Sequence, residues 1–135
     1  MSTTYRFAIL TCSDRCSAGI ATDQSGMLLK KLIENDNDHH QLGSSKDHLY
    51  KDKSYLIIEE CVVPDNLDMI KDVLQNWCDH RNDIDCILTT GGTGFTDSDV
   101  TPEATKSILQ KEAPGIVHAL TAESLKITPM AMLSR

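Results

Sequence analysis

Asp85-Cys86-Ile87-Leu88-Thr89-Thr90-Gly91-Gly92-Thr93-Gly94-Phe95-Thr96-Asp97-Ser98-Asp99-Val100-Thr101-Pro102-Glu103 passes from an apolar strand, through three glycines in four residues, to a helix start. Glycine permits positive φ and lets the backbone approach a ligand closely. Successive backbone N–H groups in such a turn cradle an anion, and a helix N-terminus adds a positive dipole end. Two carboxylates, Asp97 and Asp99, stand between the glycines and the helix. Carboxylates would repel a bare phosphate. They suit a phosphate site that shares Mg²⁺, because that ion bridges protein carboxylates and phosphate oxygens.

Outward from this stretch, strands alternate with helices. Residues 5–12 read as a buried strand ending in Ser13-Asp14-Arg15. Residues 23–34 read as a helix with Leu28, Leu29, Leu32 and Ile33 on one stripe. Residues 35–53 are polar and read as a long loop. Residues 55–63 form a second strand ending at Pro64-Asp65-Asn66, where Asp65 or Asn66 caps the next helix. That helix would bury Leu67, Ile70, Val73, Leu74, Trp77 and Cys78. The third strand is 84–90. Thr101 is a candidate N-cap with Pro102 at the first helical position, and the helix runs to about 112. Ala113-Pro114-Gly115 breaks it, 116–126 resume a helical pattern, and Thr128-Pro129 interrupts that. The alternation predicts an α/β fold, a three-layer sandwich with a mainly parallel sheet covered on both faces.

Composition narrows the function. A chain of 135 residues with 40% hydrophobic content suffices for one domain around one core. No run approaches the roughly 20 apolar residues that span a bilayer, and residues 1–6 hold no signal-peptide core. A formal net charge of −7 argues against a nucleic-acid footprint and leaves any anion site dependent on local groups and a cation. Five cysteines without a Cys-x-x-Cys pair read as buried, reduced thiols of a cytoplasmic protein. His39 and His40 have no partner at zinc-ligand spacing. There is no Gly-x-x-x-x-Gly-Lys-[Ser/Thr] loop, and Asp97 occupies the third glycine position of a dinucleotide fingerprint. Both observations turn the reading away from P-loop and hydride-transfer enzymes.

The glycine stretch and Asp99-Val100-Thr101-Pro102-Glu103-Ala104-Thr105 resemble the signature of the MogA/MoaB molybdopterin-binding family, nearest to the gephyrin-type G domain. Thr11-Cys12-Ser13-Asp14, Asp23-Gln24-Ser25-Gly26, Val63-Pro64-Asp65, Trp77-Cys78-Asp79, Glu112-Ala113-Pro114-Gly115 and Met132-Leu133-Ser134-Arg135 extend the similarity in order along nearly the whole chain. The resemblance implies a homotrimer acting in molybdenum cofactor biosynthesis. It further implies Mg²⁺-dependent transfer of AMP from ATP to molybdopterin, with molybdate inserted by a separate domain in cis or in trans. Asp99 and Asp65 correspond to the catalytic aspartates, Asp99 also to the metal position. Ser13, Asp14, Thr90, Gly91, Gly92, Thr93 and Gly94 correspond to molybdopterin- and ATP-binding loops, and Ser124, Pro129, Ser134 and Arg135 to a segment facing the pocket.

Ser98 departs from the family's usual Arg. The family pattern also continues beyond the position of Arg135 with a further strand, an Asn-Leu-Pro-Gly loop and a closing helix. The resemblance therefore implies a single domain over 1–135 lacking those elements. Alternatives stay open beside these roles: a non-catalytic trimeric scaffold or an inactive fragment for the chain, a tight strand-to-helix turn without a ligand for Gly91 to Gly94, helix capping for Asp99 and Asp65, a plain β-to-α turn for Ser13 and Asp14, and solvated charge or structural pairing for Arg15 and Arg135.

Overall fold

Strand β1 (Thr3–Cys12) lies between β2 (Lys53–Val63) and β3 (Cys86–Thr90), and all three are parallel, in the order β2-β1-β3. The computed structural model describes residues 3–41 and 53–135. A central parallel strand is covered on both faces, which is why β1 reads as a continuous apolar run rather than an alternating one. Ala8, Ile9, Leu10 and Cys12 are all buried. The β1–β2 register slips between Phe7 and Ala8, where Phe7 faces Ile57 and Ala8 faces Glu59.

On one face, Ala8, Leu10 and Cys12 pack with Val63, with Ile70, Leu74 and Trp77 of α3 (Leu67–His80), and with Ala104 of α4 (Thr101–Ile108). On the other, Leu32 and Ile33 of a helix spanning Gln24–Gln41 lie over Phe7 and Tyr55. The three-layer arrangement matches the expectation from the sequence.

Local boundaries differ for identifiable reasons. The Gln24–Gln41 helix carries on through 35–41, which read as loop. Residues 42–52 of that stretch lie outside the described residues. A short helix, Asp14–Ser17, follows β1 directly. The Ser13 hydroxyl starts it by accepting from the Cys16 N–H at 3.3 Å. The helices are accordingly α1 (Asp14–Ser17), α2 (Gln24–Gln41), α3, α4 and α5 (Pro114–Leu125), with a 3₁₀ turn at Pro129–Leu133. Helix α3 buries Ile70, Leu74 and Trp77, while Leu67 and Cys78 are exposed. Helix α4 stops at Ile108 rather than near 112. Within it, the Thr105 and Ser107 hydroxyls turn back onto the carbonyls of Thr101 and Ala104, which competes with helical bonding. Pro114 begins α5 as well as ending the preceding segment, a position where its missing N–H costs nothing. All five cysteines are free thiols, of which only Cys12 is fully buried.

Asn66, not Asp65, caps α3: its side chain accepts from the Met69 N–H at 3.0 Å. Asn66→Ala is expected to cost about 1 kcal/mol in a urea melt. An unchanged midpoint would show that solvent replaces the cap.

At the opposite end of the strands, between the central β1 and the start of β3, Arg6 grips Asp85 in a fork, Nε to Oδ2 and Nη2 to Oδ1, each at 2.9 Å, with the Arg6 N–H adding a third bond at 2.8 Å. The Arg6 guanidinium holds the Asp85 carboxyl at about 2. An unfolded aspartate titrates near about 3.9. The folded value is the lower, so this contribution to stability is present above the unfolded value and lost as pH falls through the folded one. Asp85→Asn is therefore expected to be less stable than the parent at pH 7 and to lose less stability between pH 4 and 2. Parallel acid limbs in pH-dependent melts would contradict this.

Candidate active site

The three strands end side by side, at Cys12, Val63 and Thr90, and the Ser13 N–H ties the first exit to the second by donating to the Val63 carbonyl at 2.8 Å. In open α/β sheets ligands bind outside these carboxyl ends. With Asn66 acting as cap, the Asp65 carboxylate is released from that task. Its Oδ2 accepts from the Asp14 N–H at 3.0 Å, and Asp14 Oδ1 accepts from the Asp65 N–H at 2.9 Å. The β1 and β2 exits thus hold each other by reciprocal bonds. Asp65 Oδ1 is buried without a hydrogen-bond partner.

The third exit passes these two at close range. Gly91 and Gly92 both have positive φ, +84° and +58°. A Cβ on Gly91 would sit far inside contact distance of the Cys12 carbonyl oxygen. On Gly92 it would lie 2.5 Å from Thr101 Oγ1 and 2.7 Å from Asp65 Oδ1. The glycines are therefore demanded by backbone conformation and by space.

Thr101 is not the cap that the sequence suggested. It lies inside α4, its N–H donates to the Gly92 carbonyl at 3.1 Å, and its buried hydroxyl has no partner. Burial pushes the neighbouring Cys12 thiol up, which keeps it protonated and a poor nucleophile.

A cavity of about 510 Å³ opens at this convergence, and Ser13, Asp65, Gly91 and Gly92 line it. Thr11, Arg15 and Asp23 also line it, although the sequence reading assigned them no site role. Asp23 Oδ1 accepts from the Gly26 N–H at 2.9 Å, the geometry of a helix cap, and Oδ2 accepts from the Thr11 hydroxyl at 2.7 Å. The traceable signal was a threonine inside an otherwise apolar strand and an aspartate directly before a helix.

Asp99 stands apart from this lining. Its Oδ2 accepts from the Thr96 N–H at 2.9 Å and the Thr96 hydroxyl at 2.6 Å, while its own N–H donates to the Thr96 carbonyl at 3.0 Å. The Thr96 hydroxyl, then the Thr96 and Gly94 backbone and the charge of Arg135, hold the carboxyl below its ordinary range. Thr93 and Gly94 belong to the same loop. Ser124, Pro129 and Ser134 are exposed and lie outside the cavity lining, and Arg135 bonds to the glycine loop. Among the described residues no three His, Cys, Asp or Glu side chains converge into a metal cage.

A parallel three-layer sheet with a glycine turn and carboxylates at its strand ends defines the class. Its solved counterparts include the molybdopterin biosynthesis enzyme MoaB from Thermus thermophilus, with TM-score 0.73 and 35% identity over 97% of this chain and 71% of that one. Residues 8–135 match the family profile described as a probable molybdopterin binding domain, and the chain belongs to that family. It is 44% identical over 128 residues to gephyrin of Dictyostelium discoideum, covering 94% of this chain and 16% of that protein. It is 35% identical to a molybdopterin adenylyltransferase of Helicobacter pylori over 98% of this chain and 66% of that enzyme. The chain spans between 16% and 69% of the length of the curated relatives it matches.

Proposed function

We propose that this domain acts in molybdenum cofactor biosynthesis as a molybdopterin adenylyltransferase, with ATP and molybdopterin as substrates. The observation that carries the reading is the meeting of Ser13, Asp65 and two positive-φ glycines on one cavity at the strand ends. Its volume lies within the range of small-molecule sites. The names of the adenylyltransferase relatives support the same chemistry.

In the reaction, an oxygen of the terminal phosphate of molybdopterin forms a bond to the α-phosphorus of ATP. The bond from that phosphorus to the bridging oxygen breaks, and pyrophosphate leaves with the electron pair. The nucleophile is already ionised, so no side chain need act as a base. The difficulty is to bring anions together, and positioning with electrostatic stabilisation supplies the catalysis. Thr90, Gly91, Gly92, Thr93 and Gly94 would present backbone amides to phosphate. Ser13 and Asp14 would close the rim at β1, with Asp65 orienting the substrate across from them.

Mg²⁺ fits this donor set only as an ion shared with substrate, since Mg²⁺ is commonly held by one or two carboxylates plus phosphates. Asp99 would hold it through Oδ1, as Thr96 occupies Oδ2. When bound, it would screen charge on the α-phosphate and the leaving pyrophosphate. Ser124, Pro129 and Ser134 would belong to the facing wall.

The free thiols favour a cytoplasmic setting, and no helix among the described residues is long and apolar enough to cross a membrane. A homotrimer, with molybdate inserted by a further domain in cis or in trans, completes the proposal. Ile116, Val117, Leu120, Ile127, Met130 and Met132 offer apolar surface for such association, each more than half exposed. This surface also favours a second reading, a molybdopterin-binding scaffold without turnover.

The test incubates the protein with molybdopterin and Mg·ATP and measures pyrophosphate. Release dependent on molybdopterin is expected, together with a raised melting temperature on adding either ligand. Molybdopterin binding without pyrophosphate would leave the scaffold.

A further inference from the structure

Arg135 adds a second tie between the glycine loop and α4, beside the bond from the Thr101 N–H to the Gly92 carbonyl. Its Nη2–H donates to the Asp99 carbonyl at 2.9 Å, its Nε–H reaches the Thr93 carbonyl at 3.4 Å, and its Nη1 pairs with Glu103 Oε1 at 2.8 Å. The guanidinium also lies over the Phe95 ring, 5.1 Å from its centroid. One planar fork therefore spans the start, middle and end of the loop and the first turn of α4. The Thr96–Asp99 bonds close a ring within the loop but do not join that ring to the helix.

Peptide planarity extends the effect to the carboxylate. In a trans peptide the C=O and the following N–H point in opposite directions. Turning the Thr93 carbonyl toward Arg135 thus fixes the peptide plane leading into Gly94, which lies against the Asp99 carboxylate: a Cβ on Gly94 would sit 2.7 Å from Asp99 Oδ2. Three of the five guanidinium N–H groups, one on each nitrogen, are committed to these contacts and fix the plane of the fork.

We propose that Arg135 is a positioning residue that fastens the glycine loop to α4 and sets how Asp99 is presented, rather than a ligand of substrate. Its kinetic consequence rests on the adenylyltransferase reading; its structural consequence does not. Lysine cannot replace it, because a single ammonium cannot span a planar fork's separate acceptors.

The experiment compares the parent with Arg135→Ala, Arg135→Lys and Glu103→Gln. In Arg135→Ala, hydrogen exchange of the 94–100 amides is expected to speed up by about tenfold, the sign of a released local contact. Its kcat should fall by about 10- to 100-fold, as loss of sub-ångström positioning does. KM for ATP should stay within about twofold, because no substrate contact is removed. Arg135→Lys should behave like Arg135→Ala, added guanidinium should restore part of the lost rate, and Glu103→Gln, which keeps the carbonyl bonds, should be milder. Unchanged exchange in the loop, or a raised KM with kcat intact, would overturn the proposal. If the parent releases no pyrophosphate, the adenylyltransferase reading fails and the exchange measurement alone decides the role of Arg135.

Discussion

Replacing Asp99 by Asn is expected to lower AMP transfer by about 10²- to 10³-fold, the loss seen when one preorganised electrostatic group is removed. The substitution isolates charge. An amide oxygen can still accept from the Thr96 N–H and hydroxyl, the two bonds that hold Asp99 in its loop. Those bonds become neutral ones, so a small stability loss is expected alongside. What disappears is the negative charge, and with it the oxygen assigned to a cation shared with substrate. Single-turnover assays at saturating Mg·ATP check this. Wild-type turnover in Asp99→Asn would reduce Asp99 to a staple of its own loop and leave Asp65 as the functional carboxylate.

Gly91→Ala should be among the most destabilising single changes in the domain. Alanine at a φ of +84° incurs strain of about 1–2 kcal/mol from the left-handed conformation. The added carbon also collides with the Cys12 carbonyl, a backbone group of the central strand. That strand cannot retreat without disturbing the Thr11–Thr90 pairing of β1 with β3. Overpacking adds about 1–3 kcal/mol more, for a total of about 2–5 kcal/mol. Typical domains have only about 5–15 kcal/mol in all. Gly19→Ala is the control, since Gly19 has φ +71° but nothing within 4 Å of the added carbon. It should lose the conformational part alone, about 1–2 kcal/mol. Equal urea midpoints for the two variants would show that the close passage of β3 over β1 is not rigid.

Much of this architecture is local and so was legible in the chain. The apolar run of β1 and the 3.6-residue spacing of Ile70, Leu74 and Trp77 each report a neighbour's coverage through their own pattern. The alternation of strands and helices then leaves few topologies. The three closely spaced glycines mark an unusual turn for the same reason, because only glycine adopts such backbone angles cheaply.

The features that escaped the sequence are those settled by a competition between residues. Asp65 and Asn66 are equally good caps on paper. The choice fell to Asn66 because Asp65 is engaged by the Asp14 N–H across the β1 and β2 exits. Thr101 has a cap's chemistry, yet it lies within the helix, its N–H bound to the Gly92 carbonyl. Thr11 and Asp23 are twelve residues apart and share a hydrogen bond only because α2 folds back over β1.

By itself, then, the sequence determined the α/β class, the position of the glycine turn and the family, all of which depend on neighbours along the chain. The tertiary structure alone decided the division of labour: Asp65 on the cavity, Asp99 in a self-closed loop, and Arg135 joining that loop to α4. These assignments depend on which donors and acceptors meet across elements distant in sequence, and no local pattern encodes that meeting.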